Sequence, residues 1–153
     1  MSETLEIKHA RLQYGKTVIT KDISASFMKP EIVSIIGPNG SGKSTLLHVL
    51  SGMEPPTAGT VELDGEELTA LPDKKLAALR LRRLGFVFQQ PRLLASLSLR
   101  DNVSLPGLLA RAESRGVIAR RTDELLETME VAGVADHLPS RVSGGQLQRA
   151  SIC

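Results

Sequence analysis

The chain has 153 residues, of which 41% are hydrophobic and 24% charged, so it is long enough for one globular domain with a sizeable core. The 19 basic and 17 acidic residues leave a formal net charge of +2, which provides no electrostatic argument for nucleic-acid binding. One tyrosine and three phenylalanines are too few for a row of base-stacking rings, and a single cysteine excludes an internal disulfide. No apolar run approaches the ~18 residues of a membrane span.

The first 36 residues contain three strand patterns. Residues 5–14 form the first, and its apolar phase slips between Ile7 and Ala10, which predicts a bulge. Residues 23–27 alternate between apolar and polar side chains, which predicts a strand with one buried face. Residues 31–36 are nearly all apolar, as is typical of a strand buried on both faces.

Further along, the predicted elements become mostly helical. A helix ending at Gly52 is followed by a short strand at 60–63 with a hairpin signal after it, an amphipathic helix at 72–83 and a strand at 84–88. Helices are then predicted at 97–105, where Pro106 and Gly107 stop the first, at 117–131, and from 146 onward. The basic cluster at the end of the 72–83 helix is interpreted as a solvated face; its members are Arg80, Arg82 and Arg83. Strands followed by helices in this order predict an α/β fold with a helical subdomain.

A glycine-rich segment separates the strand at 31–36 from the helix after it, and it fits the phosphate-binding pattern G-x-x-x-x-G-K-[ST]. Its glycines allow successive N–H groups to turn toward phosphate oxygens, and the following helix adds its positive N-terminal end. Lys43 offers a point charge to the β- and γ-phosphates, and Ser44 offers a hydroxyl ligand to Mg²⁺. The predicted nucleotide-binding residues in this loop are Gly37, Pro38, Asn39, Gly40, Ser41, Gly42, Lys43, Ser44 and Thr45.

Three further motifs accompany the loop: Tyr14 in Leu-Gln-Tyr-Gly, Gln89 in Phe-Val-Phe-Gln, and Ser-Gly-Gly-Gln at residues 143–146. Together with the loop they resemble the ATP-binding domain of ABC transporters over essentially the whole chain. The resemblance implies a P-loop NTPase core with an antiparallel β subdomain and a helical subdomain, with the C-terminal part of the core missing. It implies a β subdomain and P-loop core at about 1–92, a helical subdomain at about 93–142, and the signature motif with the start of its helix at 143–153.

The resemblance also implies roles for these residues. Tyr14 would stack on adenine, although an ordinary strand tyrosine with its hydroxyl in water is the alternative. Gln89 would contact Mg²⁺ and the attacking water, with Gln90 as the rival for that role, so Ser44 and Gln89 are the expected metal ligands. The signature would bind the γ-phosphate held by a second protomer; its residues are Ser143, Gly144, Gly145 and Gln146. The expected cofactors are therefore ATP and Mg²⁺.

No catalytic residue is predicted within this chain. The family places a metal-linked Asp, a Glu that polarises water and a later His beyond the signature. Asp64 and Asp136 are the candidates for substitutes, but neither ends an apolar strand after the signature. We therefore expect residues 1–153 to be marginally folded and to bind ATP at most, while the parent protein hydrolyses it.

The function implied by the resemblance is coupling of ATP binding and hydrolysis to transport through a partner permease. The segment Asp101-Asn102-Val103 and its surroundings resemble the subgroup that serves lipoprotein release and macrolide or peptide export. The expected partners are a second ATP-binding subunit and the permease, with no direct nucleic-acid binding and membrane contact only through the permease. The expected location is cytoplasmic, at the inner face of the cell membrane. The alternatives are a soluble ABC-type ATPase of DNA repair or translation, and a non-catalytic nucleotide-binding remnant.

Overall fold

The computed structural model describes residues 4–153, except for the side chain of Tyr14. The chain divides into two compact units, one ending at Arg80 and the other comprising Leu81–Cys153. The first holds a β-sheet, the glycine-rich loop and the helix after it, and the second is helical. The expected boundary near residue 92, between a P-loop core and a helical subdomain, stays a prediction.

The first unit is built on a four-stranded antiparallel sheet with the order β2-β1-β3-β4. Its strands are β1 (Thr4–Tyr14), β2 (Thr17–Met28), β3 (Ala58–Leu63) and β4 (Glu66–Glu67). The bulge predicted between Ile7 and Ala10 is present, because the register with β2 shifts there and His9 adopts φ 49°. The hairpin signal after the strand at 60–63 is also confirmed, since β3 and β4 pair across it.

The core of this unit lies between the sheet and two helices. Helix α1 (Lys43–Leu50) buries Val49 and Leu50 against a cluster that includes Ile7 and Val61. Gly52 follows the end of α1 with φ 66°, as predicted for a residue that ends a helix in the left-handed conformation.

Helix α2 (Asp73–Arg83) has no fully buried residue, although Leu76 and Leu79 pack against the core cluster. The interpretation of its basic cluster as a solvated face is wrong for Arg80, a half-buried residue whose guanidinium donates to the carbonyl of Gly52. Arg80 therefore links α2 to the end of α1.

Two predicted strands do not form. Residues 31–36 and 84–88, all of which the structure describes, adopt neither helix nor strand. Ile32 and Ile36 are 99% and 92% exposed, and Val87 is 61% exposed. An apolar run becomes a buried strand only when neighbouring strands satisfy its backbone groups and cover its side chains. The four-stranded sheet provides no such neighbours to either segment.

The helical unit contains α3 (Leu99–Ala110), α4 (Arg115–Thr128) and α5 (Gly144–Ala150). The prediction that Pro106 and Gly107 stop α3 is wrong, because the helix continues through both to a left-handed C-cap at Arg111. A proline inside a helix costs about 3 kcal/mol. Packing against α4 opposes this cost: a Cβ added at Gly107 would lie 3.2 Å from Ile118, so the absence of a side chain lets the two helices approach closely.

The core of this unit joins the three helices to the segment between α4 and α5. Its buried members are Leu99, Leu126, Val131, Ala135 and Ala150. That segment carries two short 3-10 helices, at Ala132–Val134 and Pro139–Arg141. No helix within residues 4–153 combines the length and apolar character needed to cross a membrane.

Candidate nucleotide-binding site

The glycine-rich loop turns directly into the N-terminus of α1. Gly40 and Gly42 have φ values of 80° and 90°, a conformation that residues with a Cβ rarely adopt. Gly42 is the N-cap of α1, so no side chain caps the first N–H groups of this helix. The first N–H groups of a helix have no carbonyl partner within it. The loop therefore presents backbone donors at the positive end of α1, a donor set that suits phosphate oxygens.

Lys43 lies at this turn and reaches back across the loop. Its Nζ donates to the carbonyl oxygen of Gly37 at 2.9 Å and to that of Pro38 at 2.8 Å. Ser44 follows it on the first turn of α1 and is exposed. The loop, Lys43 and Ser44 thus lie together at the start of α1.

Gln89 belongs to the second unit and lies exposed in a bend between α2 and α3, as does Gln90. The residues before it stack, with the rings of Phe86 and Phe88 6.2 Å apart and inclined by 21°. The guanidinium carbon of Arg92 lies 4.8 Å from the centre of the Phe88 ring, close enough for a cation–π interaction.

The signature residues form the start of α5. Ser143 is the N-cap and accepts from the N–H of Gln146 at 3.3 Å, while Gln146 Oε1 accepts from the N–H of Ser143 at 2.9 Å. This reciprocal pair is a capping box. Ser143, Gly144 and Gly145 are exposed, whereas Gln146 is half-buried. The Ser143 hydroxyl proton stays available to a ligand because that oxygen acts as the acceptor in the cap.

Three further residues were weighed as site residues from the sequence: Tyr14, Asp64 and Asp136. Tyr14 ends β1, but its side chain lies outside the described residues, so its predicted stacking on adenine stays a prediction. Asp136 accepts from Nε of Arg100 at 2.8 Å in the helical unit, and Asp64 accepts from the N–H of Thr4 at 2.7 Å beside the β3–β4 turn. In the part of the chain that the structure describes, no group of three or more His, Cys, Asp or Glu could hold a metal ion.

Two side chains with structural roles near these motifs were not identified from the sequence. Asn102 is buried and bonds to the backbone between Leu94 and Ser98, on the C-terminal side of Gln89. Arg100 donates to Asp123 on α4 and to Asp136. The sequence pointed to Asn102 only as part of Asp101-Asn102-Val103, which resembles the subgroup, and that resemblance does not indicate a bonding partner.

A glycine-rich loop that leads into α1 with a lysine at its first turn, together with an antiparallel sheet and a helical unit, defines a P-loop nucleotide-binding protein of the α/β class. Comparison with known families is more specific. Residues 20–153 match the family model described as ABC transporter. The chain belongs to this family, whose ATPase domains bind ATP, and its fold is that of an ABC ATPase cassette.

Curated relatives agree with the subgroup that the sequence resembles. The chain is 42% identical to the lipoprotein-releasing system ATP-binding protein LolD of Bordetella pertussis, over 88% of this chain and 58% of that protein. It is 41% identical to the macrolide export ATP-binding/permease protein MacB of Neisseria meningitidis serogroup A, over 97% of this chain and 23% of that protein. The chain therefore spans just over half the length of one relative and about a quarter of the other.

Solved structures also match. A dimeric structure of the ATP-binding cassette MJ0796, in a post-hydrolysis state bound to ADP and Pi, superposes with a TM-score of 0.88 at 34% identity. The match covers 97% of this chain and 67% of that one. A second dimeric structure of MJ0796, described as a bacterial ABC transporter cassette, gives a TM-score of 0.89 at 35% identity.

Proposed function

We propose that this chain is the ATP-binding part of an ABC transporter subunit, which couples ATP binding and hydrolysis to transport through a partner permease. The observation that carries the proposal is the loop at residues 37–42, where Lys43 begins α1 and extends its ammonium group to the carbonyls of Gly37 and Pro38. A cation and backbone donors at one helix N-terminus form a binding site for a triphosphate. The family match and the names of LolD and MacB support transport as the process that it serves.

ATP would bind together with Mg²⁺. In this proposal the loop N–H groups and Lys43 hold the phosphates, Tyr14 stacks on adenine, and the Ser44 hydroxyl and the Gln89 side-chain oxygen are ligands of the metal. Mg²⁺ would neutralise phosphate charge. Hard oxygen donors suit it better than nitrogen or sulfur, and both proposed ligands supply oxygen.

The partners in this proposal are a second ATP-binding subunit and a membrane permease. Ser143, Gly144, Gly145 and Gln146 would contact the ATP of the second subunit. Their support is the exposed start of α5 and the dimeric state of the MJ0796 cassette. The subunit would lie at the cytoplasmic face of the membrane, in contact with the permease and with no direct nucleic-acid partner.

Hydrolysis would belong to the complete protein. Of the acidic candidates weighed within the chain, Asp136 is paired with Arg100 and Asp64 lies in a turn of the sheet, so neither supports the role of a metal-linked aspartate. We propose that residues 1–153 provide nucleotide binding without steady turnover.

Loss of the Lys43 charge tests the proposal. Lys43→Ala should weaken binding of a fluorescent ATP analogue with Mg²⁺ by about 10- to 100-fold, because a hydrogen bond from a charged donor contributes about 1.5–3 kcal/mol. Lys74→Ala is the matched control, since it removes the same charge from the exposed face of α2. The measurement is a fluorescence titration of residues 1–153 beside a phosphate-release assay.

The outcomes separate the parts of the proposal. Saturable binding that depends on Lys43 and not on Lys74, without phosphate release, is the expected result. Equal binding by the wild type and Lys43→Ala would refute the loop as the site. Steady turnover by residues 1–153 that Lys43→Ala abolishes would show that the chain already contains its catalytic groups.

A further inference from the structure

A single buried side chain links the start of α3 to the segment that follows Gln89. Asn102 lies in the first turns of α3 and is only 9% exposed. Its Oδ1 accepts from the N–H of Leu94 at 2.7 Å. Its Nδ2 donates to three carbonyls, those of Leu94 at 3.1 Å, Leu97 at 3.2 Å and Ser98 at 2.8 Å.

These four hydrogen bonds involve both polar atoms of the amide and lie on one stretch of backbone. The two Nδ2 protons are shared among three acceptors, and Oδ1 accepts from one N–H, that of Leu94. A buried amide is retained without cost only when its polar atoms are paired. The backbone of Leu94 is therefore bonded to α3 twice, because its N–H donates to Asn102 and its carbonyl accepts from Asn102.

The start of α3 is fixed in turn to the rest of the helical unit. The N–H of Leu99 donates to the carbonyl of His137 at 3.0 Å, and that of Arg100 to the carbonyl of Ala135 at 2.8 Å. The side chain of Arg100 reaches Asp136 on the same segment. Asn102 therefore lies near a helix end that is hydrogen-bonded to residues 135–137.

The segment between Gln89 and Leu94 lies outside the helices of the unit, and within it Arg92 stacks on the ring of Phe88. Residues 84–94 form neither helix nor strand in the structure, and Leu94 is 50% exposed beside a groove of about 560 Å³. Five residues extend to at most about 18 Å, so the point where Leu94 is held limits where Gln89 can lie. Leu93 packs against the core of the helical unit, which fixes its side chain but satisfies no backbone group of Leu94.

We propose that Asn102 is a positioning residue for Gln89: its buried amide holds Leu94–Ser98 on α3 and thereby sets the range of the segment that carries the glutamine. The inference rests on the proposed function, since Gln89 acts only if the complete protein hydrolyses ATP. Asn102 itself does not contact the nucleotide in this scheme. Its effect is transmitted through the backbone between Gln89 and Leu94.

We call the hydrogen bonds from the Asn102 amide to the backbone of residues 94–98 the clamp, and two substitutions remove it in different ways. Asn102→Ala removes all four hydrogen bonds, whereas Asn102→Asp keeps an acceptor for Leu94 N–H but places oxygen where the Nδ2 group faces three carbonyls. Ser104→Ala is the matched control on the same helix, because its hydroxyl bonds only to the carbonyl of Asp101 within α3. All variants would be made in the complete protein with its permease.

The expected readout is a change in kcat without a change in nucleotide affinity. Both Asn102 variants should lower kcat by about 10- to 100-fold, the loss that a displacement near 1 Å produces, and leave the Kd for MgATP unchanged. Combined with Gln89→Ala, either should lower kcat by less than twofold further, because the two residues act on one step. Ser104→Ala should leave kcat and Kd within twofold of the wild type.

Hydrogen exchange tests the clamp without reference to catalysis. The amide of Leu94 should be protected in the wild type and in Ser104→Ala, and should exchange at least tenfold faster in Asn102→Ala. If neither Asn102 variant folds, the wild type decides: a Leu94 amide that exchanges as fast as an unstructured one overturns the proposal.

Other results also refute it. Full additivity of Asn102→Ala with Gln89→Ala would show that Asn102 acts on stability and not through Gln89. A raised Kd with unchanged kcat would assign Asn102 to nucleotide binding. A complete protein that binds MgATP through Lys43 but is unaffected by either Asn102 variant would leave the proposed function standing and this inference refuted. Absence of Lys43-dependent binding or of ATP turnover would refute both.

Discussion

At the scale of single residues, the two left-handed glycines of the loop have different neighbours. Gly40 has open space where a Cβ would lie, whereas a Cβ on Gly42 would overlap Cγ2 of Ile19 on β2. A left-handed backbone costs a residue with a Cβ roughly 1–2 kcal/mol at either position. At Gly42 the overlap adds to this cost, and Ile19 cannot turn its branched Cβ away freely. Gly42 is therefore required both for the turn and for its contact with the sheet.

We predict that Gly42→Ala destabilises the chain and weakens ATP binding more than Gly40→Ala does. The difference in unfolding free energy should be about 1–3 kcal/mol, the usual cost of an extra methyl group in a packed site. Urea unfolding and nucleotide titration of the two variants measure it. Adding Ile19→Ala should recover part of the loss in Gly42→Ala and nothing in Gly40→Ala. Equal losses in both glycine variants would refute the steric argument.

At the scale of secondary-structure elements, the helical unit depends on how α3 is fixed at its first turn. Ser98 caps the helix by accepting from the N–H of Asp101 at 3.0 Å. The N–H groups of Leu99 and Arg100, which no helical carbonyl can satisfy, donate to the segment before the signature. The Arg100 side chain adds bonds to Asp136 and Asp123, and these two carboxylates raise the pKa of Arg100 above its ordinary value. One residue thus joins α3, α4 and the 135–137 segment.

We predict that Arg100→Met lowers the unfolding free energy of the chain by about 1 kcal/mol. Each partly exposed ion pair contributes about 0.2–1 kcal/mol, and Arg100 makes two. Arg120→Met is the control, because Arg120 has a single exposed pair with Glu124 at 3.9 Å within α4. It should change stability by less than about 0.5 kcal/mol. Urea unfolding at low and high salt compares the two, and equal losses would show that the Arg100 network contributes nothing specific.

At the scale of the whole molecule, the three most exposed large apolar side chains among the described residues lie in the segments 31–36 and 84–88, which were expected to be strands. Ile32 and Ile36 lie almost fully in solvent, and Val33 is 49% exposed. Fully burying an isoleucine side chain contributes about 1.5–3 kcal/mol, which these residues do not gain in this structure. Contiguous exposed apolar surface of this kind promotes association.

We predict that residues 1–153 bind the dye ANS and self-associate, and that Ile32→Lys/Ile36→Lys reduces both. The substitutions replace exposed apolar surface with charge, so they should not reduce the folded fraction seen by circular dichroism. Met28→Lys/Leu138→Lys is the control, because it adds the same charge at apolar positions that are 58% and 38% exposed elsewhere. Dye fluorescence and light scattering are the measurements. An equal decrease in both double variants would attribute the effect to net charge alone.

Sequence patterns predicted most of the local elements. The bulge in β1, the β3–β4 hairpin and the helix over 72–83 followed correctly from residues adjacent in the chain. The helix after the glycine-rich loop and the left-handed glycines of that loop were also predicted, because helix formation and glycine conformation are local properties. Pro106 was misread because packing at Gly107 against Ile118 offsets a local preference.

By itself, the sequence determined the family of this protein and the residues proposed to bind ATP, because the order and spacing of short motifs need no knowledge of packing. Only the tertiary structure decided which apolar runs became strands, since residues 31–36 require partners from distant parts of the chain. It also revealed the bonds of Asn102 to Leu94 and of Arg100 to Asp136. Those contacts join residues whose proximity depends on how the helices fold together, and no local pattern contains that information.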